Sequence, residues 1–481
     1  MSRSIHHVAI VGGGITGLSV AYYLQREIEA KRLPFQFTLI EADSRLGGKI
    51  DTLRRDGYVI EKGPDSFLER KRHATQLAID LGLEHELVNN ETGQAYIYHE
   101  RDLHPIPAGS VMGMPTELQP FLETLLLSTE GKARALEDLL LPVEPVAEDL
   151  SVGDFFRRRF GDEMVDRVIE PLISGVYGNP IDHLSLLATF PQYHRLLMEH
   201  GSLIKAMRYT RPKAPSKRGK GMFQTVRSGL ATIVERIEAS LPAVKVRKNA
   251  EITRFVKTEN GYQLTLKDGA VLDAHSVVFT TPHQVTRKVL RPYLDLKPID
   301  LAEPTSVATV SLAFPRERVQ VSVKGTGFIV PRQADLRITA CTWLHQKWPH
   351  TTPAGKALLR CFVGRPQADG IVHRTDEEIA EMVLEDLRNI RAMDIKGEPE
   401  FVFIHRFKES RPPYEVGHQQ WVEQITHQVR SALPRVYLAG SFYKGVGLPD
   451  CIQQGKEVVG QIVSGVAASP NNDSQSFVPF C

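Results

Sequence analysis

Cysteine is scarce in this chain of 481 residues. Its four cysteines, Cys341, Cys361, Cys451 and Cys481, form no close pair in sequence. A disulfide framework or cysteine-built metal cage is therefore not expected, and a reducing compartment fits. Charge of one sign is also lacking. Lys and Arg number 59 against 57 Asp and Glu, leaving a formal +2, which makes no bulk-charge case for nucleic acid. No apolar run reaches the roughly 18 residues of a membrane-crossing helix, so no transmembrane segment is expected. None of the 17 histidines falls in an HExxH pattern or a close His/Cys group, so no metal is expected. Only "MSRSIHH" precedes the first apolar strand, which leaves no room for a signal peptide and points to the cytoplasm.

What is present is ordinary globular composition, 42% hydrophobic and 24% charged, in a length that suits two or three domains. "HVAIVGGGITGLSVAYYLQRE" reads as a buried strand, a glycine turn and a helix, and "PFQFTLIEA" as a second buried strand. Together they make a βαβ unit. Residues 72–220 are rich in helical patterns, with "RPKAPSKRGKG" at 211–221 reading as a basic loop. Strand signals return from "AVKVRKNAEITRF" to "SVVFTTP", with a hairpin expected at Asp268-Gly269. A strand-rich block follows over about 305–365, and then an amphipathic helix near 376–391. "RVYLAGSFYKGVGLPDCIQQGKEVVGQIVSG" again reads as strand, glycine-rich turn and helix. The polar tail is expected to be disordered.

Gly12, Gly14 and Gly17 form G-x-G-x-x-G between a strand and a helix. The first glycine permits the tight turn, the second lets backbone approach a pyrophosphate, and the third allows close packing of helix on strand. The helix N-terminus offers unpaired N–H groups and partial positive charge to phosphate. Glu41, 24 residues beyond Gly17, closes the second strand and suits a ribose hydroxyl. This fingerprint does not separate FAD from NAD.

The next stretch is less usual for a nicotinamide site. "RLGGKI" sets Arg45 and Lys49 around Gly47 and Gly48, exposing backbone N–H groups beside two bases. "GYVIEKGPDSF" follows, with Gly57, Glu61, Gly63 and Pro64. R-x-G-G-K followed by G-x-x-x-E-x-G-P resembles the flavin-dependent amine oxidase superfamily, which also holds phytoene desaturases and porphyrinogen oxidases. The resemblance implies FAD. It assigns cofactor contacts to Gly12, Gly13, Gly14, Ile15, Thr16, Gly17, Glu41, Ala42, Gly48 and Lys49. It assigns more to Gly63, Pro64, Asp65 and Ser66, the main chain at Ile252, and Val446, Gly447 and Leu448. Phe407 stands where the family often has an aromatic by the flavin ring, although a core phenylalanine would read the same way. Ser441 replaces the acidic residue usual after the glycine that ends the last strand. Cys451, in the first turn of the last helix, could be activated there or simply packed.

"GPDSFLERK", "EPLISGVYGNP", "FFRRRFGDE" and "GVGLPDCI" resemble the oxygen-dependent porphyrinogen oxidases of Gram-positive bacteria, over nearly the whole chain. That resemblance implies an α/β fold with three parts. The FAD-binding Rossmann-like domain takes residues 1–70, 226–291 and 430–468. A mixed-sheet α+β substrate domain takes 71–87, 210–225 and 292–429. A helical insertion takes 88–209, and 469–481 form the polar tail. The implied reaction is six-electron oxidation of coproporphyrinogen III with hydrogen peroxide formation, in heme biosynthesis. Protoporphyrinogen IX, or the substrate of another flavin amine oxidase or desaturase, is the alternative. Chemistry lies at flavin N5, and no catalytic side chain is identified.

Four propionates on such a substrate ask for cations. Arg70 and Lys71 follow the "GPDSFLE" turn directly, and the resemblance turns Lys71 toward the propionates. Lys205, Arg208, Arg211, Lys213, Lys217, Arg218 and Lys220 are further candidates, or else a solvated loop. Val176 and Tyr177 are candidate apolar walls, or helix-end packing. The partners expected are a porphyrinogen, dioxygen and a transient heme-pathway protein.

Overall fold

The computed structural model of the chain describes residues 5–143, 148–210, 221–242, 245–294, 296, 305–365 and 369–467. It divides into two compact units, one of Met1–Gly48, Val234–Leu296 and Ile425–Cys481, the other of Lys49–Ile233 and Lys297–Gln424. The first cut falls after Gly48, where the sequence reading placed it after residue 70. The basic stretch 211–220 and the tail 469–481 lie outside the described residues.

The first unit is built on five parallel strands. Their order is Val246–Arg247, Phe35–Ile40, His6–Val11, Ser276–Phe279 and Val436–Leu438. Val8, Ala9 and Ile10 in the central strand are fully buried. This is why the run is apolar at every position instead of alternating. The N-terminal and C-terminal segments thus enter one sheet, as expected. Their helices, Ile15–Lys31 and Leu448–Ala467, pack directly on each other. Gly455 makes the crossing close: a Cβ there would lie 2.8 Å from Ser19 Cβ and 2.9 Å from the Thr16 carbonyl oxygen. A three-stranded antiparallel sheet, Ile252–Lys257, Tyr262–Leu266 and Val271–Ala274, completes the unit. Its tight turn carries Gly269 at φ +85°, as the Asp268-Gly269 reading required.

The second unit holds a seven-stranded mixed sheet. The order is Phe401–Arg411, Thr305–Pro315, Lys356–Val363, Ile338–Trp343, Gly327–Ile329, Tyr96–His99 and Asp102–Pro105. All pairings are antiparallel except that of Gly327–Ile329 with Tyr96–His99. The edge hairpin comes from a stretch read as helical insertion. "YIYH" is a β-prone aromatic run; one neighbour is its hairpin partner Asp102–Pro105, and the other, Gly327–Ile329, lies more than 200 residues away. Helices begin at Leu118 and continue to Thr210. The helix expected near 376–391 spans Asp376–Arg388 and starts with a reciprocal cap between Thr375 and Glu378. Cys341 and Cys361 face each other in register across two central strands, both buried and both free thiols. Sequence distance had hidden that pairing.

The three arginines of "FFRRRF" point three ways, as helical geometry demands. Arg157 bonds Asp162, Asp166 and Asp182. Arg158 is exposed. Arg159 turns inward, its Nε donating to Asp138 at 2.6 Å. Asp138, fully buried, also accepts from the Ser202 hydroxyl at 2.6 Å and the Ile204 N–H at 2.9 Å. One carboxylate therefore ties three helical segments together. Asp138→Ala leaves the Arg159 charge buried without its carboxylate and is expected to cost about 3–5 kcal/mol. Arg158→Ala is expected to stay within about 0.5 kcal/mol. Urea midpoints of the two variants check this.

Candidate functional site

In the first unit, strand His6–Val11 runs into the glycine turn and helix Ile15–Lys31 starts at Gly14. Gly12 sits at φ +106°, and a Cβ on it would lie 2.8 Å from Thr280 Oγ1. That hydroxyl donates to the Val11 and Gly12 carbonyl oxygens, both at 2.9 Å. At Gly13 a Cβ would meet Leu46 at 2.5 Å and Glu41 Oε2 at 2.9 Å. At Gly17 it would stand 1.9 Å from the Gly12 carbonyl oxygen. Gly14 is different: a Cβ there would meet nothing within 4 Å. The turn is thus closed on its protein side and open at its middle glycine, where a pyrophosphate would approach. Ile15 and Thr16 are buried at the helix start.

Glu41 ends its strand with both carboxylate oxygens in use. Oε2 accepts from the Gly13 N–H at 2.6 Å and Oε1 from the Asp43 N–H at 2.8 Å. A carboxylate offers about four lone-pair positions, so a ribose hydroxyl can still reach it beside exposed Ala42. The second glycine pair lies against the first: Gly47 pairs with Gly14, and a Cβ on Gly48 would stand 3.3 Å from the Gly14 Cα. Arg45, which the sequence offered as a phosphate base, donates to the Gly48 carbonyl oxygen at 2.7 Å and shapes this loop. Ile252 is half-buried at the start of its strand.

The C-terminal glycine loop belongs to the same unit. Gly440 is at φ +132° and Gly445 at φ +82°. Gln454 spans the loop, accepting from the Gly440 N–H at 3.1 Å and donating to the Lys444 carbonyl oxygen at 2.7 Å. Asp450 packs into it: Cβ atoms on Gly445 and Gly447 would each fall 2.9 Å from the Asp450 side chain. Val446 and Gly447 are half-buried, and Leu448 opens the last helix. The sequence reading weighed Ser441 and passed over Asp450, which follows the glycine pair by a helical turn. Cys451 is buried in that turn, the arrangement of a packed thiol.

In the second unit, hairpin Thr52–Arg55 and Tyr58–Glu61 leads into the Lys62–Ser66 turn. A Cβ on Gly63 would lie 2.0 Å from the Lys49 carbonyl oxygen and 3.3 Å from the Phe407 ring. Phe407 is half-buried on the sheet strand Phe401–Arg411 and contacts His405 at 4.5 Å between ring centres. It therefore stands beside the Gly63-Pro64 turn instead of in the core. Lys49 donates its ammonium to the Ser410 carbonyl oxygen. Asp65 accepts from Ser66 at 2.8 Å, Lys347 at 2.9 Å and the Trp348 indole at 3.4 Å. Burial alone would push the Asp65 carboxyl up, but Lys347 and Arg360 hold it well below the usual carboxylate range. Glu61 moves the other way. Burial pushes it up to about 7, against the Leu230 N–H at 2.6 Å, the Thr52 hydroxyl at 2.8 Å and the Arg360 charge.

Arg70 and Lys71 are exposed, with Lys71 capping helix Arg72–Asp80. Tyr177 ends helix Glu170–Tyr177, which Gly178 closes in a left-handed conformation. Its ring meets Phe190 at 5.6 Å and Tyr414 at 5.8 Å, and Phe190 stacks on Tyr193 at 5.6 Å. Arg70 acts electrostatically on the Tyr193 phenol, which burial pushes up to about 12. Tyr177 thus belongs to an aromatic cluster, and the Arg70 charge reaches one member of that cluster, Tyr193. The Val176 side chain and residues 211–220 lie outside what the structure describes. Lys205 donates to the Leu139 carbonyl oxygen at 3.3 Å. Sequence reading missed Arg360 and Lys347. The available signal was a lone arginine inside the apolar strand "KALLRCFV". Among the described residues no helix is long and apolar enough to cross a membrane.

A family model described as "Flavin containing amine oxidoreductase" matches residues 15–463. A coproporphyrinogen III oxidase of Bacillus subtilis (strain 168) is 48% identical, over 95% of this chain and 98% of that one. A coproporphyrinogen III oxidase of Staphylococcus aureus (strain NCTC 8325 / PS 47) is 41% identical, over 95% and 99%. A crystal structure from Exiguobacterium sp. 255-15, described as a candidate protoporphyrinogen oxidase, is 38% identical. It superposes with a TM-score of 0.86 over 97% of this chain and 100% of that chain.

Two outcomes are expected from the geometry. Gly17→Ala forces a methyl group onto the Gly12 carbonyl oxygen and should abolish retention of the dinucleotide; absorbance of the purified protein reads this directly. Glu61→Gln should alter how stability depends on pH. The folded state favours neutral Glu61, a contribution present in full below about pH 4.5 and lost as pH rises through about 7. Between those limits the wild type should lose of the order of 3 kcal/mol that Glu61→Gln does not lose. Urea midpoints at about pH 4.5 and pH 8 compare the two proteins.

Proposed function

We propose, for a chain that belongs to the flavin containing amine oxidoreductase family, the oxidation of coproporphyrinogen III to coproporphyrin III with FAD and dioxygen. What carries the reading is likeness across nearly the whole chain to two relatives named for that activity. Six hydrogens leave the macrocycle in three two-electron steps, and three dioxygen molecules become three of hydrogen peroxide. FAD, when bound, supplies the two-electron acceptor on which that chemistry depends.

The chain's own residues bind and orient. Gly12, Gly13, Gly14 and Gly17, with Ile15 and Thr16 opening the helix, would hold the pyrophosphate at a positive helix end. Glu41 and Ala42 would meet the adenosine ribose, and the Ile252 main chain the adenine. Gly48 and Lys49 would serve the far side of the diphosphate. The Gly63–Ser66 turn and Phe407 would border the flavin ring, as would Val446, Gly447 and Leu448. The last helix would direct its positive end at the ring, favouring a reduced form that carries negative charge. Lys71 and Arg70 would take propionates, and Tyr177 with Val176 the apolar body of the macrocycle. No general base is required of a side chain. The reaction is placed in heme biosynthesis in the cytoplasm, with product passing to the next protein of that pathway through transient contact.

The test is anaerobic presentation of coproporphyrinogen III and protoporphyrinogen IX, then air, following porphyrin fluorescence and peroxide. The coproporphyrinogen rate should be the higher, with three peroxides per porphyrin. Lys71→Ala removes one exposed charged contact and should raise KM about two- to fivefold with kcat little changed. Faster turnover of protoporphyrinogen would shift the assignment to that substrate. An unchanged KM would remove Lys71 from the site.

A further inference from the structure

Arg360 lies inside strand Lys356–Val363 and is 1% exposed. Burying a guanidinium costs several kcal/mol unless charge and hydrogen bonds offset it. A carboxylate taken two-handed is a frequent way to offset that cost. Arg360 does not use it. Its Nη2 donates to two consecutive backbone carbonyl oxygens, those of Lys62, at 3.3 Å, and Gly63. Its guanidinium carbon stands 4.9 Å above the Phe362 ring, and Asp65 and Glu61 act on it only as neighbouring charges.

The same turn is gripped from other directions. The Lys62 carbonyl oxygen also accepts from the Thr309 hydroxyl at 3.1 Å. The Lys62 ammonium bonds Asp51 at 2.8 Å. Asp65 is tied to Lys347 and Trp348. Gly63 is pressed between the Lys49 carbonyl and Phe407. Yet a glycine–proline turn offers no side chain at residue 63 or 64 by which the sheet could hold it. At these two residues the sheet can bond only backbone, and Arg360 bonds the two carbonyls that precede the proline.

We infer that Arg360 is a positioning residue: by fixing the Lys62 and Gly63 carbonyls it sets the surface that the Gly63–Ser66 turn presents to the flavin. The inference rests on the proposed function for that turn's role. It deepens the proposal by naming a side chain that acts on the cofactor through the backbone.

Arg360→Lys keeps the charge but has a shorter side chain and no planar guanidinium, so it loses the Nη2 that bonds both carbonyls; Thr309→Val removes the other side-chain donor to the Lys62 carbonyl. Three readouts are taken on each purified protein: the FAD dissociation constant, the positions of the flavin absorption bands, and kcat and KM for coproporphyrinogen. Arg360→Lys should weaken FAD binding about tenfold or more, shift the bands, and lower kcat more than it raises KM. Thr309→Val should move the same readouts in the same direction by less. The inference is overturned if Arg360→Lys shows wild-type FAD affinity and bands, even when its urea midpoint falls. Should Arg360→Lys not fold, unchanged affinity and bands in Thr309→Val overturn it. Wild-type protein that takes up no FAD would refute the flavin reading itself, and the inference with it.

Discussion

A side chain at residue 17 has nowhere to begin, because its first carbon would stand 1.9 Å from the carbonyl oxygen of Gly12. The absence of that carbon lets helix Ile15–Lys31 start against the end of strand His6–Val11. The rest of the first unit follows from that closeness. A helix seated so low on the sheet brings Thr16 and Ser19 against Gly455, so the C-terminal helix can cross it without a side chain between them. With the two helices locked, the chain ends enter one parallel sheet. The open side of Gly14 is then the part of the turn left without protein against it. In the site we propose, the space for phosphate is a consequence of packing: it is what remains once the neighbouring glycines have allowed everything else to come close.

The second unit meets a different difficulty. The Lys62–Ser66 turn contains a glycine and a proline, so it has few side chains to anchor and one N–H fewer to bond. Charge takes the place of packing. Arg360, Asp65, Lys347 and Glu61 form a group of alternating charges around the turn, Arg360 and Glu61 buried, Asp65 and Lys347 half-buried. Such a cluster adds little stability for its desolvation cost. What it does provide is direction, since each group bonds a particular backbone atom or a neighbour that does. The opposed behaviour of its two carboxyls makes physical sense. Asp65 has a direct ammonium partner and stays ionised. Glu61 has only neutral donors in contact and a cation at longer range, so burial prevails.

The parts of this design written locally were legible from the sequence. The glycine fingerprint, the apolar runs on either side and the Asp268-Gly269 hairpin each depend on residues within a few positions, and each reading holds in the structure. What escaped depends on partners far away in the chain. "FFRRRF" announces three arginines, yet only the position of Asp138 decides that Arg159 is the buried one. Cys341 and Cys361 are distant in sequence and opposite in register. "YIYH" is β-prone, but its place in the large sheet is decided only by the distant Gly327–Ile329 strand. Asp450 shows its role only once the glycine loop has folded over it. In "KALLRCFV" the charged residue was visible, but the two carbonyls it bonds lie some 300 positions away.

The character of the substrate can be argued from the same separation of charge and apolar surface. Tyr177, Phe190, Tyr193 and Tyr414 make a nearly continuous aromatic cluster. Burial keeps the Tyr193 phenol neutral across the physiological range, and Arg70, which acts on it electrostatically, is itself exposed. At the site we propose, a small cationic amine would meet repulsion from Arg70 and Lys71. A carotenoid would bring no charge for Arg70 or Lys71 to meet, an indifferent outcome because exposed cations stay hydrated at little cost. A tetrapyrrole with carboxylates at its rim matches both features together. Its body is broad and apolar, and its charges sit where long, mobile lysine and arginine side chains can reach from solvent. Since exposed charge pairs are individually weak, the arrangement we propose would select the substrate through several such contacts acting at once.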